Sequence, residues 1–137
     1  MIIHSLLQQL KNDGFGIVGT TLQVGVLPLD DKGDAINGIA VTPRGLPVNR
    51  TIVNKQAVDF YVRNKNPLTA LNKAQELLDY LQTSFSDTCD LPALDGITEE
   101  TFSDVTITPT SSAEFVGVDD NGGTTFVVSG EVQYENN

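Results

Sequence analysis

This chain has little of what most sites are built from: one cysteine, Cys89, one histidine, His4, and no tryptophan. A lone cysteine excludes an intrachain disulfide framework, and without a Cys/His cluster a structural zinc site has no ligands. No apolar run approaches the ~20 residues that span a bilayer. The opening MIIHSLLQQLKNDG lacks the basic start and small-residue cleavage site of a signal peptide. The chain is therefore expected to be made and used in a cytoplasm, and the nominal glycosylation acceptor Asn49-Arg50-Thr51 is discounted on the same ground. Positive charge is missing from half of the molecule. All eight Lys and Arg lie in residues 1–73 beside five acids, while residues 74–137 hold thirteen acids and no base. The formal net charge of −10 repels nucleic-acid phosphates, whose capture needs clustered Lys and Arg. Sequence-reading DNA binding is therefore not expected.

At 137 residues, one domain spanning 1–137 with its own hydrophobic core is expected. Ile2, Ile3, Leu6, Leu7 and Leu10 recur at helical spacing, and Asn12-Asp13-Gly14 ends that helix. The following GFGIVG, residues 14–19, spells G-x-G-x-x-G, a pyrophosphate cradle where it follows a strand and opens a helix. Here a helix precedes it and the β-rich TTLQVGVLP follows, so a turn with Gly14 at positive φ is favoured over a cofactor site. Thr20–Leu27 reads as a strand, ended by Pro28 and the loop LDDKGDAING. Asp30, Asp31 and Asp34 in that loop suggest calcium, but the terminal bidentate Glu and the ligand alternation are missing, which favours a solvated turn. Gly38–Thr42 is a second strand and Pro43–Arg50 an exposed loop. Thr51–Arg63 is the clearest β segment, with Val58, Phe60 and Val62 facing one way and Asp59, Tyr61 and Arg63 the other.

Asn66-Pro67 starts a helix, because Asn caps free N–H groups and Pro at the first position has none to lose. Leu68, Leu71, Ala74, Leu78, Leu81 and Phe85 form its expected buried face. The acidic connection Ser86–Thr101 holds Cys89, which has no neighbouring base to activate it. FSDVTITP, AEFVGV and TTFVVSGEVQY then read as strands, the last two joined by DDNGG, whose Asn121-Gly122 is a hairpin signal. Phe126, Val128 and Val132 are inward candidates, and Gly130 marks a bulge or a close approach. The expected fold is α+β: a mostly antiparallel sheet, an N-terminal helix and a long central helix packed on one face, and a closing β-hairpin. No Ser-His-Asp neighbour relation, P-loop lysine or HExxH occurs, so the chain is expected not to be an enzyme and to need no cofactor or metal.

The order of segments resembles the phage tail terminator and minor-capsid (tail-completion) family of long-tailed phages. The matching features are the N-terminal helix ending in GFG, the strand running into VGVLPLD, and the GIAVTPRGLPVN strand and loop. They continue with QAVDFYVRNKNPLTALNKAQELLDYL, a strand ending in arginine before an alanine-containing helix, and with EFVGVDDNGGTTFVVSGEVQY, a hairpin with a G-x-D-x-N-G turn. The resemblance implies a hexameric ring that caps the tail tube, stops its polymerisation and presents a surface to the head-side connector or neck protein. It places the protein in the virion tail or neck, assembled in the bacterial cytoplasm, with DNA passing through unbound and no membrane partner. In such a ring Arg44, Arg50, Lys55, Arg63 and Lys65 are candidates for one side of the subunit interface, and Glu99, Glu100, Asp119 and Asp120 for the other. Reversing Arg50 and Arg63 to Glu is then expected to block assembly without unfolding the protomer. The acids of the second half either line the DNA channel or only keep the protomer soluble. The alternatives are another neck or tail-completion ring, or a small acidic ligand- or metal-binding module using Asp30, Asp31 and Asp34 or the turn at 119–123.

Overall fold

In the computed structural model of the chain, residues 2–25, 27, 32, 36–49, 54–120 and 122–136 are described, with 46–49 and 136 as backbone only. Helix α1, Ile2–Asn12, buries the five apolar residues expected of it. It ends in a Schellman arrangement: the Gly14 N–H donates to the Lys11 carbonyl at 3.1 Å and the Phe15 N–H to the Leu10 carbonyl at 2.9 Å. Gly14 has φ +87°, the conformation that this cap requires. At Gly16 a Cβ would stand 2.7 Å from Thr21 Oγ1 and 2.9 Å from Leu22 Cγ, so the chain can fold back only because that atom is missing. The GFGIVG segment therefore joins α1 to strand β1, Leu22–Val24, and opens no helix.

β1 is shorter than the expected Thr20–Leu27, because the N–H groups of Thr21 and Leu22 both donate to the Ile17 carbonyl in a tight turn. Val26 and Pro28 lie outside the described residues. β1 pairs in parallel with β2, Gly38–Asn49, and β2 pairs antiparallel with β3, Asn54–Asn64. The Pro43–Asn49 segment, expected as a loop, thus continues a strand. Beyond Val41 β2 has a neighbour on one side only among the described residues, where a strand tolerates proline, and a register shift between Arg44 and Val48 absorbs Gly45 to Pro47. Arg50 and the expected strand start at Thr51–Val53 lie outside the described residues.

Helix α2, Pro67–Ser84, is capped as expected: Asn66 Oδ1 accepts from the N–H groups of Leu68 and Thr69 at 3.0 and 3.1 Å. Four of the six residues expected on its buried face, Ala74, Leu78, Leu81 and Phe85, are buried, and two are not. Ala70, Ala74, Leu77, Leu78 and Leu81 face the core, while Leu68 and Leu71 are 67% and 40% exposed. The i, i+4, i+7, i+11 series from Ala70 fits the helix period as well as the leucine series does, and its two alanines let the helix backbone approach the sheet.

The connection after α2 contains a short strand, β4, Cys89–Leu91, that pairs with β5, Phe102–Pro109. β6, Glu114–Val118, and β7, Thr124–Asn136, close the chain as the expected hairpin. The seven-stranded sheet has the order β1-β2-β3-β7-β5-β4, with β6 on β7. Both helices and the inward residues of the strands share one core cluster that includes Leu6, Val41, Phe60, Leu77, Ile107 and Val128. Phe126 is only partly buried, and Gly130 is a close approach, since a Cβ there would meet Ile107 Cγ2 at 3.3 Å. The corrected helix face can be checked by urea denaturation. Leu77→Ala should cost about 2–5 kcal/mol, whereas Leu68→Ser should stay within about 0.5 kcal/mol of the parent.

Candidate functional site

Arg63 stands on β3 with the outward parity of Asp59 and Tyr61, opposite Gly38 on β2 and Thr125 on β7. Its side chain is nevertheless 0% exposed. The turn between β6 and β7 covers it. Arg63 Nε donates to Asp119 Oδ2 at 2.6 Å, and Asp119 Oδ1 accepts the Gly123 N–H at 2.9 Å. The turn is also closed along the backbone, with the Asp119 N–H on the Gly123 carbonyl at 2.8 Å and the Gly122 N–H on the Asp119 carbonyl at 3.0 Å. Gly123 lies flat against the guanidinium, and a Cβ at that position would collide with it. One carboxylate thus fixes the turn with one oxygen and clamps the end of β3 with the other. Nη1 and Nη2 of Arg63 are buried and have no hydrogen-bond partner among the described residues. A buried guanidinium so incompletely satisfied, paired with a carboxylate that is 34% exposed, holds the turn in one place and adds little net stability.

Arg63 is therefore a correction to the expected interface. It is not on a surface that a neighbour can reach, and it meets Asp119 of its own chain. Reversing it to Glu would place a buried carboxylate beside that of Asp119, so the protomer is expected to lose stability at this residue. Two other expected cations are also paired within the chain. Arg44 Nε lies 3.4 Å from Asp59 Oδ1, which also accepts from Ser129 Oγ at 2.6 Å, and Lys55 Nζ lies 3.8 Å from Glu131 Oε1. Such exposed pairs contribute about 0–1 kcal/mol each and leave the charges open to a partner. Lys65 is exposed just past β3, where its backbone N–H donates to Asn37 Oδ1 at 2.8 Å. Glu99 and Glu100 are exposed in the connection before β5, and Asp120 is exposed in the β6–β7 turn. Arg50, Asp30, Asp31 and Asp34 lie outside the described residues.

A second cluster ties the helices together. Tyr80 on α2 packs against Phe15 and Phe85 with ring centroids 4.7 and 5.7 Å away, and its hydroxyl donates to Asp13. Burial first, then that hydrogen bond and the Asp13 charge, hold the Tyr80 phenol well above its ordinary range. Burial, Asp90 and Asp13 likewise push the Cys89 thiol up, away from the thiolate that nucleophilic chemistry needs. An open cleft of about 330 Å³ lies between the end of α1 and α2, with Phe15, Ile39, Asn37, Lys73 and Glu76 among its lining. Of its charged residues, Asp13 is held by Tyr80 and Gln9, and Lys73 Nζ lies 3.7 Å from Glu76 Oε2, while Arg63, which also lines it, has Nη1 and Nη2 without a hydrogen-bond partner among the described residues. Among the described residues no group of three or more His, Cys, Asp or Glu could hold a metal ion, and no helix is long and apolar enough to cross a membrane.

No protein-family model matches the chain, and no curated protein matches it.

Nothing in the local sequence around Arg63 signals its burial, since its partner is 56 residues away. The available signal is joint: an arginine closing a strand, and an Asp-x-x-x-Gly turn placed to lie across it.

Thermal or urea melts test the latch. Asp119→Ala leaves the buried guanidinium without its counter-charge and should cost about 3–5 kcal/mol. The double variant Arg63→Met/Asp119→Ala should recover most of that loss. Tyr80 carries a pH dependence of definite sign. The unfolded phenol ionises near pH 10 while the folded one resists, so its contribution is complete below about pH 10 and lost as pH rises beyond it. Stability measured at about pH 9 and about pH 11 should fall between the two, and Tyr80→Phe should flatten that fall.

Proposed function

We propose that this chain is a structural assembly protein of long-tailed phages: a tail terminator whose ring caps the tail tube, stops its growth and offers a surface to the head-side connector. The observation that carries this reading is the closing hairpin. The strand ending in arginine and the G-x-D-x-N-G turn, two segments of the resemblance, are one physical unit through Arg63 and Asp119. That unit holds β6 in water with Phe115, Val116 and Val118 exposed by 56%, 52% and 62%. Single exposed apolar residues are ordinary on a monomer, but three within four residues on an edge strand are an association surface. Function then resides in interfaces, and the order of helix, strands, central helix and closing hairpin is the one that the resemblance implies.

The test is electron microscopy of a lysate from the parent phage with this reading frame deleted. Overlong tail tubes beside DNA-filled, tailless heads are expected. Tubes of normal length that fail to join heads would move the protein to the neck, and normal virions would overturn the proposal.

A further inference from the structure

We infer that the open edge of β6 takes an extended, basic segment of a different protein as a further strand of the sheet. The inference rests on the reading above only in treating β6 as an association surface, and it names the chemistry of what binds there.

Among the described residues, the other open edges of the sheet are poorly suited to a further strand. β1 and β4 are three residues long. β2 beyond Val41 carries Pro43 and Pro47, whose nitrogens have no hydrogen to donate. β5 beyond its pairing with β4 ends in Pro109, and its Ile107 N–H already donates to the Phe85 carbonyl at 3.4 Å. β6 has neither defect: its five residues contain no proline and no base, and they pair with β7 alone. Its far side therefore presents unpaired N–H and C=O groups next to Phe115, Val116 and Val118, all more than half exposed. Phe115 is held against Phe126 with ring centroids 5.9 Å apart, so part of this apolar surface is in place before a partner arrives.

The backbone makes the occupant extended. A helix laid on the three side chains would trap the N–H and C=O groups of the edge unpaired as water leaves, whereas a strand satisfies them and covers the apolar groups with its alternate side chains. Charge makes the occupant basic. Glu114 opens β6, the exposed Asp120 follows its end, no Lys or Arg comes after Lys73 in the chain, and the guanidinium of Arg63 is buried against Asp119. Both together make it a different protein. A second β6, laid in either direction, brings acid against acid at the ends of the pair, and the other described edges are the short or proline-bearing ones.

The experiment is fluorescence polarisation on the full chain with labelled peptides of alternating valine and threonine that differ only in their flanking residues: lysine, glutamine or glutamate. The lysine-flanked peptide should bind about tenfold more tightly than the glutamate-flanked one, and the gap should close at about 1 M salt. Proline at the centre of the peptide should abolish binding. Val118→Asp, at a residue already 62% exposed, should abolish it with the circular dichroism unchanged, and Glu114→Lys/Asp120→Lys should reverse the order of the peptides. Equal binding of the three peptides would overturn the basic occupant, and binding that survives the central proline would overturn strand pairing. Self-association of the chain that Val118→Asp removes would overturn the inference in favour of a second copy. No binding at about 1 mM peptide, the weak limit of specific association, would overturn it outright. Peptide binding is read on the purified chain, so normal virions from the deleted phage would remove the tail reading and leave this result standing, and the reverse holds equally.

Discussion

The fold depends on the pairing of its last strand. β7 bonds along one side to β3, from Asn54↔Tyr134 to Asn64↔Thr124. On its other side it bonds to β6 with its first residues and to β5 with its last. Until these thirteen residues are in place, the hairpin of β2 and β3 has no link through the sheet to β5 and β4. The register is set by burial. Phe126, Val128, Gly130, Val132 and Tyr134 share the inward face with Val62, Phe60, Val58, Gln56 and Asn54. A slip of one residue would carry Val128 and Val132 into water and Ser129 and Glu131 into the core. Gly130 adds a steric constraint, because only there is β7 bare enough for Ile107 and Thr108 to lie so close. Such pairings join distant parts of the chain, and folding therefore waits on non-local contact.

The same strand turns a linear feature of the sequence into a spatial one. By inserting between β3 and β5, β7 leaves the basic first half of the chain on one side of the sheet and joins the acidic second half to the other. The seam is neutralised where Lys55 on β3 reaches diagonally to Glu131 on β7. Farther into the acidic half there is no base to do this. Glu135 on β7 lies against Asp104 on β5, whose hydrogen bond and charge raise its carboxyl above the ordinary value.

Much of this architecture could be read along the chain because its signals are local. α1 has a single apolar stripe and a glycine where the cap needs one. α2 has its Asn-Pro start, and β5, β6 and β7 have alternation and a turn. The departures arise where two local patterns are equally good or where the deciding contact is distant. Pro43 and Pro47 look like loop residues until it is known that, among the described residues, this part of β2 pairs with β3 alone. Leu68 and Leu71 outrank Ala70 by hydrophobicity and equal Leu77, and the close approach of helix to sheet decides for Ala70 and Leu77. Arg63 has the outward parity that its strand pattern assigns, yet it is buried because a turn far along the chain closes over it.

That closure bears on the edge strand. Sheet edges are usually blunted by charge, proline or cover, and β6 instead keeps apolar side chains in water. β6 is five residues long, it pairs on one side only among the described residues, and its register shifts between Phe115 and Gly117. Backbone pairing this short would let it fray or slide. The Asp119 carboxylate removes that freedom at the end of the strand: one oxygen holds the turn, the other is bound to a guanidinium that is itself packed against Gly123. An ion pair with two buried nitrogens left unsatisfied is a poor source of stability, but it is a good locator, since the carboxylate has one place to go.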